Sequence, residues 1–169
     1  MIPSKLALAQ EAPQKNEPHG LVIGHLHKQV ANAFILYANY KHCHWQTFGP
    51  LFRDLHLLFD EFADAVLPTA DEFAERLRMM DQNPVSDYRA MIDMSKLKPS
   101  RPGATMKQMI EESDDNLLLV ISDMRAAARL ADEDNDPGTA DLFSRAVQLH
   151  EKHEWFLRQI LVQKDGLTG

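Results

Sequence analysis

Four side chains on one predicted helix have the types and the spacing of metal ligands. They are His56, Asp60, Asp71 and Glu75, and at about 3.6 residues per turn they fall within about 100° of arc on one helix face. His56 and Asp60 are spaced i,i+4, as are Asp71 and Glu75, which brings two side chains within reach of one ion. Imidazole and carboxylate ligands with open coordination positions suit Fe(II), and borderline metals such as Zn(II) too. The pattern therefore predicts a metal site on this face.

The two pairs cannot hold the same ion within one chain, because Asp60 and Asp71 are separated by roughly 16 Å along the helix axis. A two-fold axis through the middle of the helix would place His56 opposite the partner subunit's Glu75. The same axis would place Asp60 opposite the partner subunit's Asp71, so that one contact builds two equivalent sites. His44, at the end of the preceding helix, would approach the same point as a further nitrogen ligand.

The same face has a simpler interpretation as a solvated surface. Charged residues make up 25% of the chain, so acidic pairs on an exposed helix are common. Ala63, Leu67 and Ala74 lie close to the acidic residues and favour a face that is pressed against another surface. A helical interaction protein whose acidic stripe is only surface is the alternative.

The elements that must position these residues are helices. Four long segments have a helical period, and no stretch alternates between apolar and polar residues as a strand would. In the first helix the apolar stripe is expected to run through Leu26, Val30, Ala33, Tyr37, Lys41 and His44. Helices are predicted over 21–45, 51–80 and 105–131, with a short one at 86–94 and a last one that begins at Asp136 and Pro137.

The joints between the predicted helices are short, long and short, which indicates an all-α four-helix bundle with one crossover. The long connection between the second and third helices contains the short extra helix. Gly49 suits the exit of the first helix. Pro68 is expected to bend the second helix without ending it, since the apolar pattern resumes beyond it.

Composition limits the class of protein. A chain of 169 residues with 44% hydrophobic content suits one domain, expected over residues 21–164 between a flexible N-terminal tail, 1–20, and a short C-terminal tail, 165–169. No apolar run has the length of a membrane span, and the N-terminal residues lack the pattern of a secretory signal. Cys43 is the single cysteine and is expected to serve buried packing. These features favour a cytoplasmic protein.

Four segments of the sequence resemble the Dps family, the ferritin-like mini-ferritins of starved cells. The longest covers residues 44–61, HWQTFGPLFRDLHLLFDE, and the second covers 71–76, DEFAER. The resemblance returns at 138–142, GTADL, and at 152–157, KHEWFL, and it extends over nearly everything from 21 to 161. It implies a ferritin-like four-helix bundle assembled into a dodecameric shell from two-fold dimers.

The resemblance also implies a function and its residues. Dps proteins oxidise Fe(II), commonly with hydrogen peroxide in preference to oxygen, store the ferric mineral inside the shell, and so protect the cell from oxidative damage. His44, His56 and Asp60 of one subunit would be the catalytic metal ligands together with Asp71 and Glu75 of the two-fold partner. The larger ferritins instead use Glu-x-x-His motifs within one bundle, and this chain has no Glu followed three residues later by His.

Trp45 follows His44 directly and has two interpretations. By the resemblance it would lie beside the metal site and absorb oxidising equivalents. As an aromatic residue in a helical protein it could equally be part of the core.

Acidic residues crowd the turn before the last helix. In the Dps family this turn lines a three-fold pore for Fe(II), and the resemblance assigns that role to Asp132, Asp136 and Asp141. Pro137 stands where some relatives have another acid, so the pore would be less charged. The alternative is a solvated turn with an N-cap.

Many Dps proteins bind DNA through a basic tail, which this sequence lacks. In residues 1–20, Lys5 and Lys15 are balanced by Glu11 and Glu17. The last six residues, 164–169, contain one Lys and one Asp and are neutral as well. The whole chain has a net charge of −7, so weak or absent DNA binding is expected. A DNA-compacting stress protein with secondary metal binding is the alternative function.

His19, His25 and His27 lie near the start of the first helix. Imidazole groups this close together along the chain suggest a second metal site as a further, weaker expectation.

Overall fold

A computed structural model describes residues 18–162. Over these residues the chain forms four long helices and one short one, with no strand. They are α1 (Pro18–Gln46), α2 (Phe52–Met79), α3 (Tyr88–Met94), α4 (Met106–Glu133) and α5 (Pro137–Leu161). The expected all-α fold is confirmed, including the short helix in the long connection, although most of the predicted helix boundaries differ from the observed ones by one to three residues.

α1 begins three residues before its predicted start at residue 21. Residues 18–20 were expected in the N-terminal tail, but they form the first turn of α1. Pro18 supplies a reason, because proline is favoured in the first turn of a helix, where its missing N–H would have no partner. The expected flexible tails otherwise lie outside the described residues.

The four long helices enclose one core. α1 packs against α2 and α4, and α5 packs against α4 and α2, while α3 lies on α1. Each long helix contributes large side chains that are fully or almost fully buried, among them Tyr40, Phe59, Phe73, Leu117 and Phe143. None of the helices among residues 18–162 has the length and apolar character needed to cross a membrane.

The apolar stripe predicted for the first helix is correct only in its first half. Leu26, Val30 and Ala33 are buried. In the second half the core is formed by residues one position earlier, and the expected positions lie beside the core. Buried there are Leu36, Tyr40 and Cys43, whereas Tyr37, Lys41 and His44 are partly exposed. Because of this shift, Lys41 and His44 lie beside α2 and not in the core.

Helix ends follow the local sequence signals. Gly49 has a φ of 84°, a left-handed conformation that glycine adopts without a steric cost, and it turns the chain from α1 into α2. Asp136 is the N-cap of α5 with Pro137 directly after it, as predicted. Thr105 and Gln108 form a capping box at the start of α4, which satisfies two backbone N–H groups.

α2 continues through Pro68, so the expectation that this residue does not end the helix is confirmed. Pro68 removes one backbone N–H donor and its ring crowds the preceding turn. It is exposed in the single subunit, away from the core contacts on the opposite side of the helix. α2 can therefore present residues from both of its halves along one face.

Two buried amides hold the long connection against the bundle. Asn39 on α1 and Asn116 on α4 each donate from Nδ2 to the carbonyl oxygen of Lys98 at 2.9 Å. The N–H of Lys98 donates back to Asn116, and that of Ser100 donates to Asn39. The connection thus joins α1 to α4 and satisfies polar groups that would otherwise be buried without partners.

Candidate metal centre

His44 and His56 bind each other's backbone. His44 lies in the last turn of α1 and His56 near the start of α2. The Nδ1 atom of His44 is 2.7 Å from the carbonyl oxygen of His56, and the Nδ1 atom of His56 is 2.9 Å from the carbonyl oxygen of His44. A carbonyl oxygen can only accept, so each Nδ1 donates a proton. When the rings are neutral, both Nε2 atoms keep the lone pair that a metal ligand needs.

The two imidazole rings are also fixed in orientation. Their centroids are 3.6 Å apart and their planes differ by 22°. Phe52 stacks on His56 at 5.1 Å, and the hydroxyl of Thr47 donates to the carbonyl oxygen of His44 at 3.0 Å. Packing and hydrogen bonds therefore hold the rings in one arrangement.

Asp60 lies one helical turn beyond His56 and adds an oxygen ligand. One of its carboxylate oxygens is 3.9 Å from Nδ1 of His44 and accepts a hydrogen bond from the ammonium of Lys41. The hydrogen bond from Lys41 lowers the pKa of Asp60 below its ordinary value, and the nearby His44 and His56 lower it further. The carboxylate is therefore ionised at neutral pH and available to a cation.

Asp71 and Glu75 lie in the second half of α2, and both are exposed in the single subunit. Within residues 18–162 of one chain, no three or more His, Cys, Asp or Glu side chains meet as a metal-binding group. His44, His56 and Asp60 come close together but do not form such a group by themselves. Completion of the site by a second copy stays a prediction.

Trp45 is not a core residue of the subunit, because 67% of it is exposed. Of its two interpretations, core packing is therefore wrong for the single chain. The indole is therefore at the surface of the subunit, on the residue that directly follows His44.

The acidic residues of the turn between α4 and α5 differ in their exposure and in their partners. Asp132 is exposed, and Asp141 is paired with Arg145 four residues later. Asp136 caps α5 by accepting from the N–H of Thr139 at 3.0 Å and pairs with Arg76 at 2.6 Å. Its interpretation as an N-cap is confirmed, while a pore built from this turn stays a prediction.

The pKa of Asp136 reflects these contacts. Burial alone would raise this pKa, but the hydrogen bonds from Thr139 and Arg76 outweigh burial and lower it. The carboxylate is therefore held in its charged form by groups of its own subunit, which reduces what it can offer to a passing ion.

The histidines near the start of α1 do not gather around one point. His19 pairs with Asp134 at 2.8 Å and His25 with Asp123 at 3.4 Å. Nδ1 of His27 is buried without a hydrogen-bond partner, and burial lowers the pKa of this histidine. Each ring has a different environment, so the second metal site suggested by these residues is not supported within the described chain.

Two contacts near the proposed ligands were not predicted from the sequence. Lys41 was expected on the same helix face as His44, but its ion pair with Asp60 was not predicted. The ion pair of Arg76, the residue after Glu75, with Asp136 was not predicted either. The available signal for Lys41 was its position three residues before His44 on the same helix face. No local signal connects Arg76 with Asp136, which lies in another element of the fold.

Comparisons with known proteins agree with the helical fold and with the resemblance found in the sequence. A family model of the ferritin-like domain matches residues 23–165. Among solved structures, Dps from Thermosynechococcus elongatus has a TM-score of 0.86 at 46% identity, over 90% of this chain and 97% of that chain. Dps from Staphylococcus aureus has a TM-score of 0.84 at 27% identity, over 88% and 99% of the two chains.

A relative found by sequence points the same way. The DNA protection during starvation protein of Agrobacterium fabrum is 31% identical over 147 residues, which are 85% of this chain and 89% of that protein. With a ferritin-like match over most of the sequence and a Dps subunit matched over nearly its whole length, this chain belongs to the Dps family of ferritin-like proteins.

Proposed function

We propose that the protein is a mini-ferritin that oxidises Fe(II) at a site shared by two subunits and stores the ferric product in a dodecameric shell. The reciprocal bonding of His44 and His56 is the observation that carries this proposal. It leaves two Nε2 atoms free as ligands beside the ionised carboxylate of Asp60. Asp71 and Glu75 of the two-fold partner would supply the remaining oxygen ligands.

Exposed apolar side chains on α2 support the two-fold contact. Phe52, Leu57 and Met79 are 48%, 42% and 70% exposed. The register that pairs His56 with the partner subunit's Glu75 also places Phe52 opposite the partner subunit's Met79. Burial of these side chains in the contact would stabilise the dimer, because apolar surface gains free energy when it leaves water.

The proposed reaction is the oxidation of Fe(II) bound by these imidazole and carboxylate ligands. Two Fe(II) ions each give one electron to hydrogen peroxide, its O–O bond breaks, and hydrolysis of the Fe(III) to oxyhydroxide releases protons; dioxygen is the alternative oxidant. The carboxylates favour Fe(III) over Fe(II), because their negative charge attracts the more highly charged ion more strongly. Zn(II) would occupy the same ligands but has no redox chemistry. Consumption of peroxide and Fe(II) in this reaction would protect the cell from oxidative damage, and we propose that it takes place in the cytoplasm.

Replacement of single carboxylates tests the site. We expect Asp60→Ala and Glu75→Ala each to slow the oxidation of Fe(II) by peroxide about tenfold or more, since each removes a ligand. Stopped-flow absorbance of the ferric product measures the rate. Glu61→Ala is the matched control, because Glu61 is an exposed acid on the same helix but about 100° around its axis from Asp60.

Light scattering checks that every variant keeps the mass of the assembled protein. Unchanged kinetics in both Asp60→Ala and Glu75→Ala, with assembly intact, would remove these residues from the mechanism. A wild-type chain that stays monomeric would contradict the shared site itself.

A further inference from the structure

The ammonium of Lys41 already occupies an oxygen that a metal would use. It donates to a carboxylate oxygen of Asp60, the same atom that lies 3.9 Å from His44. Neither partner is fully solvated, since the Lys41 side chain is 22% exposed and that of Asp60 is 38% exposed. The proposed site therefore contains a fixed positive charge of its own.

The charge of the completed site explains why an ion pair between Lys41 and Asp60 would matter there. With the partner subunit's Asp71 and Glu75 in place, three carboxylates would meet around two neutral imidazoles. Like charges at this separation repel one another unless a cation is present. Two other basic side chains, Lys28 and Arg76, are paired elsewhere, with Asp123 and Asp136. Within residues 18–162, Lys41 is the lysine or arginine that contacts a proposed ligand.

Building on the proposed function, we infer that Lys41 is the resident counter-cation of the metal site and sets its affinity. In the metal-free dimer the ammonium balances the carboxylates. An arriving divalent cation must displace it from Asp60. Lys41 thus stabilises the metal-free assembly and weakens metal binding, two effects of opposite sign that a residue needed only for packing would not combine.

Metal titration of the full-length assembled protein tests this inference. In isothermal titration with Zn²⁺, and with Co²⁺ followed by its visible absorption, we expect Lys41→Met to lower the Kd at least about threefold. Methionine keeps the length of the side chain but removes the charge. Lys28→Met is the matched control, since Lys28 is also on α1, is 24% exposed and pairs with a carboxylate outside the site. Its Kd should equal that of the wild type.

Thermal melting supplies a second readout. Without metal, Lys41→Met should melt at a lower temperature than the wild type, and saturating Zn²⁺ should raise its melting temperature by more. Lys41→Arg keeps the charge and should restore the wild-type affinity. Should Lys41→Met fail to assemble, Lys41→Gln, which keeps a donor without charge, takes its place under the same expectations.

Each outcome separates this inference from the proposed function. If Asp60→Ala binds Zn²⁺ as the wild type does, the shared metal site itself is wrong. If Asp60→Ala weakens binding while Lys41→Met leaves the Kd unchanged or raises it, the site stands and the role of Lys41 is wrong.

Discussion

Both carboxylate oxygens of Asp136 are engaged within its own subunit. One accepts from the backbone N–H of Thr139 and from Arg76, and the other accepts from the Thr139 hydroxyl. Arg76 also directly follows the proposed ligand Glu75. Asp136 therefore fixes the start of α5 and connects it to the end of α2, whatever role the turn has in iron entry.

Loss of this side chain should reduce stability more than loss of its exposed neighbour. We expect Asp136→Ala to lower the free energy of unfolding by about 1–2 kcal/mol, as for a lost N-cap, whereas Asp132→Ala should change it by less than about 0.5 kcal/mol. Urea denaturation at constant protein concentration measures both. Equal stability of the two variants would contradict a structural role for Asp136.

On α5, two histidines are buried within the bundle without a hydrogen-bond partner for Nδ1. His153 stacks on Phe62 at 3.9 Å, and His150 lies with its ring 6.2 Å from that of His153. Burial lowers the pKa of His150 to about 3 and that of His153 to about 4. Both rings are therefore neutral in the folded protein throughout the physiological range.

These two histidines should make the fold sensitive to acid. In the unfolded chain they regain a pKa of about 6.5, so below that pH the unfolded state binds protons that the folded state does not. Stability should be unaffected above pH 6.5 and fall towards pH 4 by about 1.4 kcal/mol per pH unit for each histidine. Urea denaturation from pH 7 to pH 4.5 measures this slope.

His153→Phe keeps the stacking on Phe62 and removes one titrating group, so its stability should fall less steeply with acid. Trp155→Phe, on the same helix at a position that is 50% exposed, removes no titrating group, serves as the control and should keep the wild-type slope. If His153→Phe lost stability as steeply as the wild type, His153 would not be a source of the acid sensitivity.

Helices and their ends were predictable because their signals are local. The N-cap at Asp136 with Pro137, the turn at Gly49 and the grouping of His44, His56 and Asp60 all follow from residues near one another in sequence. The ion pair of Arg76 with Asp136 and the amide contacts of Asn39 and Asn116 depend on tertiary packing. Spacing along one helix contains no information on such contacts, and the same holds for the exposure of Trp45.

At the scale of the whole molecule, charge opposes contact with nucleic acid. The net charge of −7 per chain is multiplied in any homo-oligomer, and phosphate is repelled unless a divalent cation bridges the two surfaces. Weak or absent DNA binding at physiological salt therefore stays the prediction for this chain.

A mobility-shift assay checks this prediction. At about 0.15 M salt and low protein concentration without divalent ions, the wild type should leave DNA unshifted. A variant with Glu11→Lys and Glu17→Lys, which makes the N-terminal tail basic, should shift it and shows that the assay can detect binding. A shift by the wild type under these conditions would favour the DNA-compacting alternative.

The reciprocal bonds between His44 and His56 affect how fast an ion can be captured. Because each ring is tied to the other's backbone, the rotamer entropy of both imidazoles is lost when the subunit folds and not when the metal arrives. Two subunits would then meet with their nitrogen donors already oriented. Diffusion of the ion and release of its hydration water, rather than rearrangement of these rings, would limit the rate of binding.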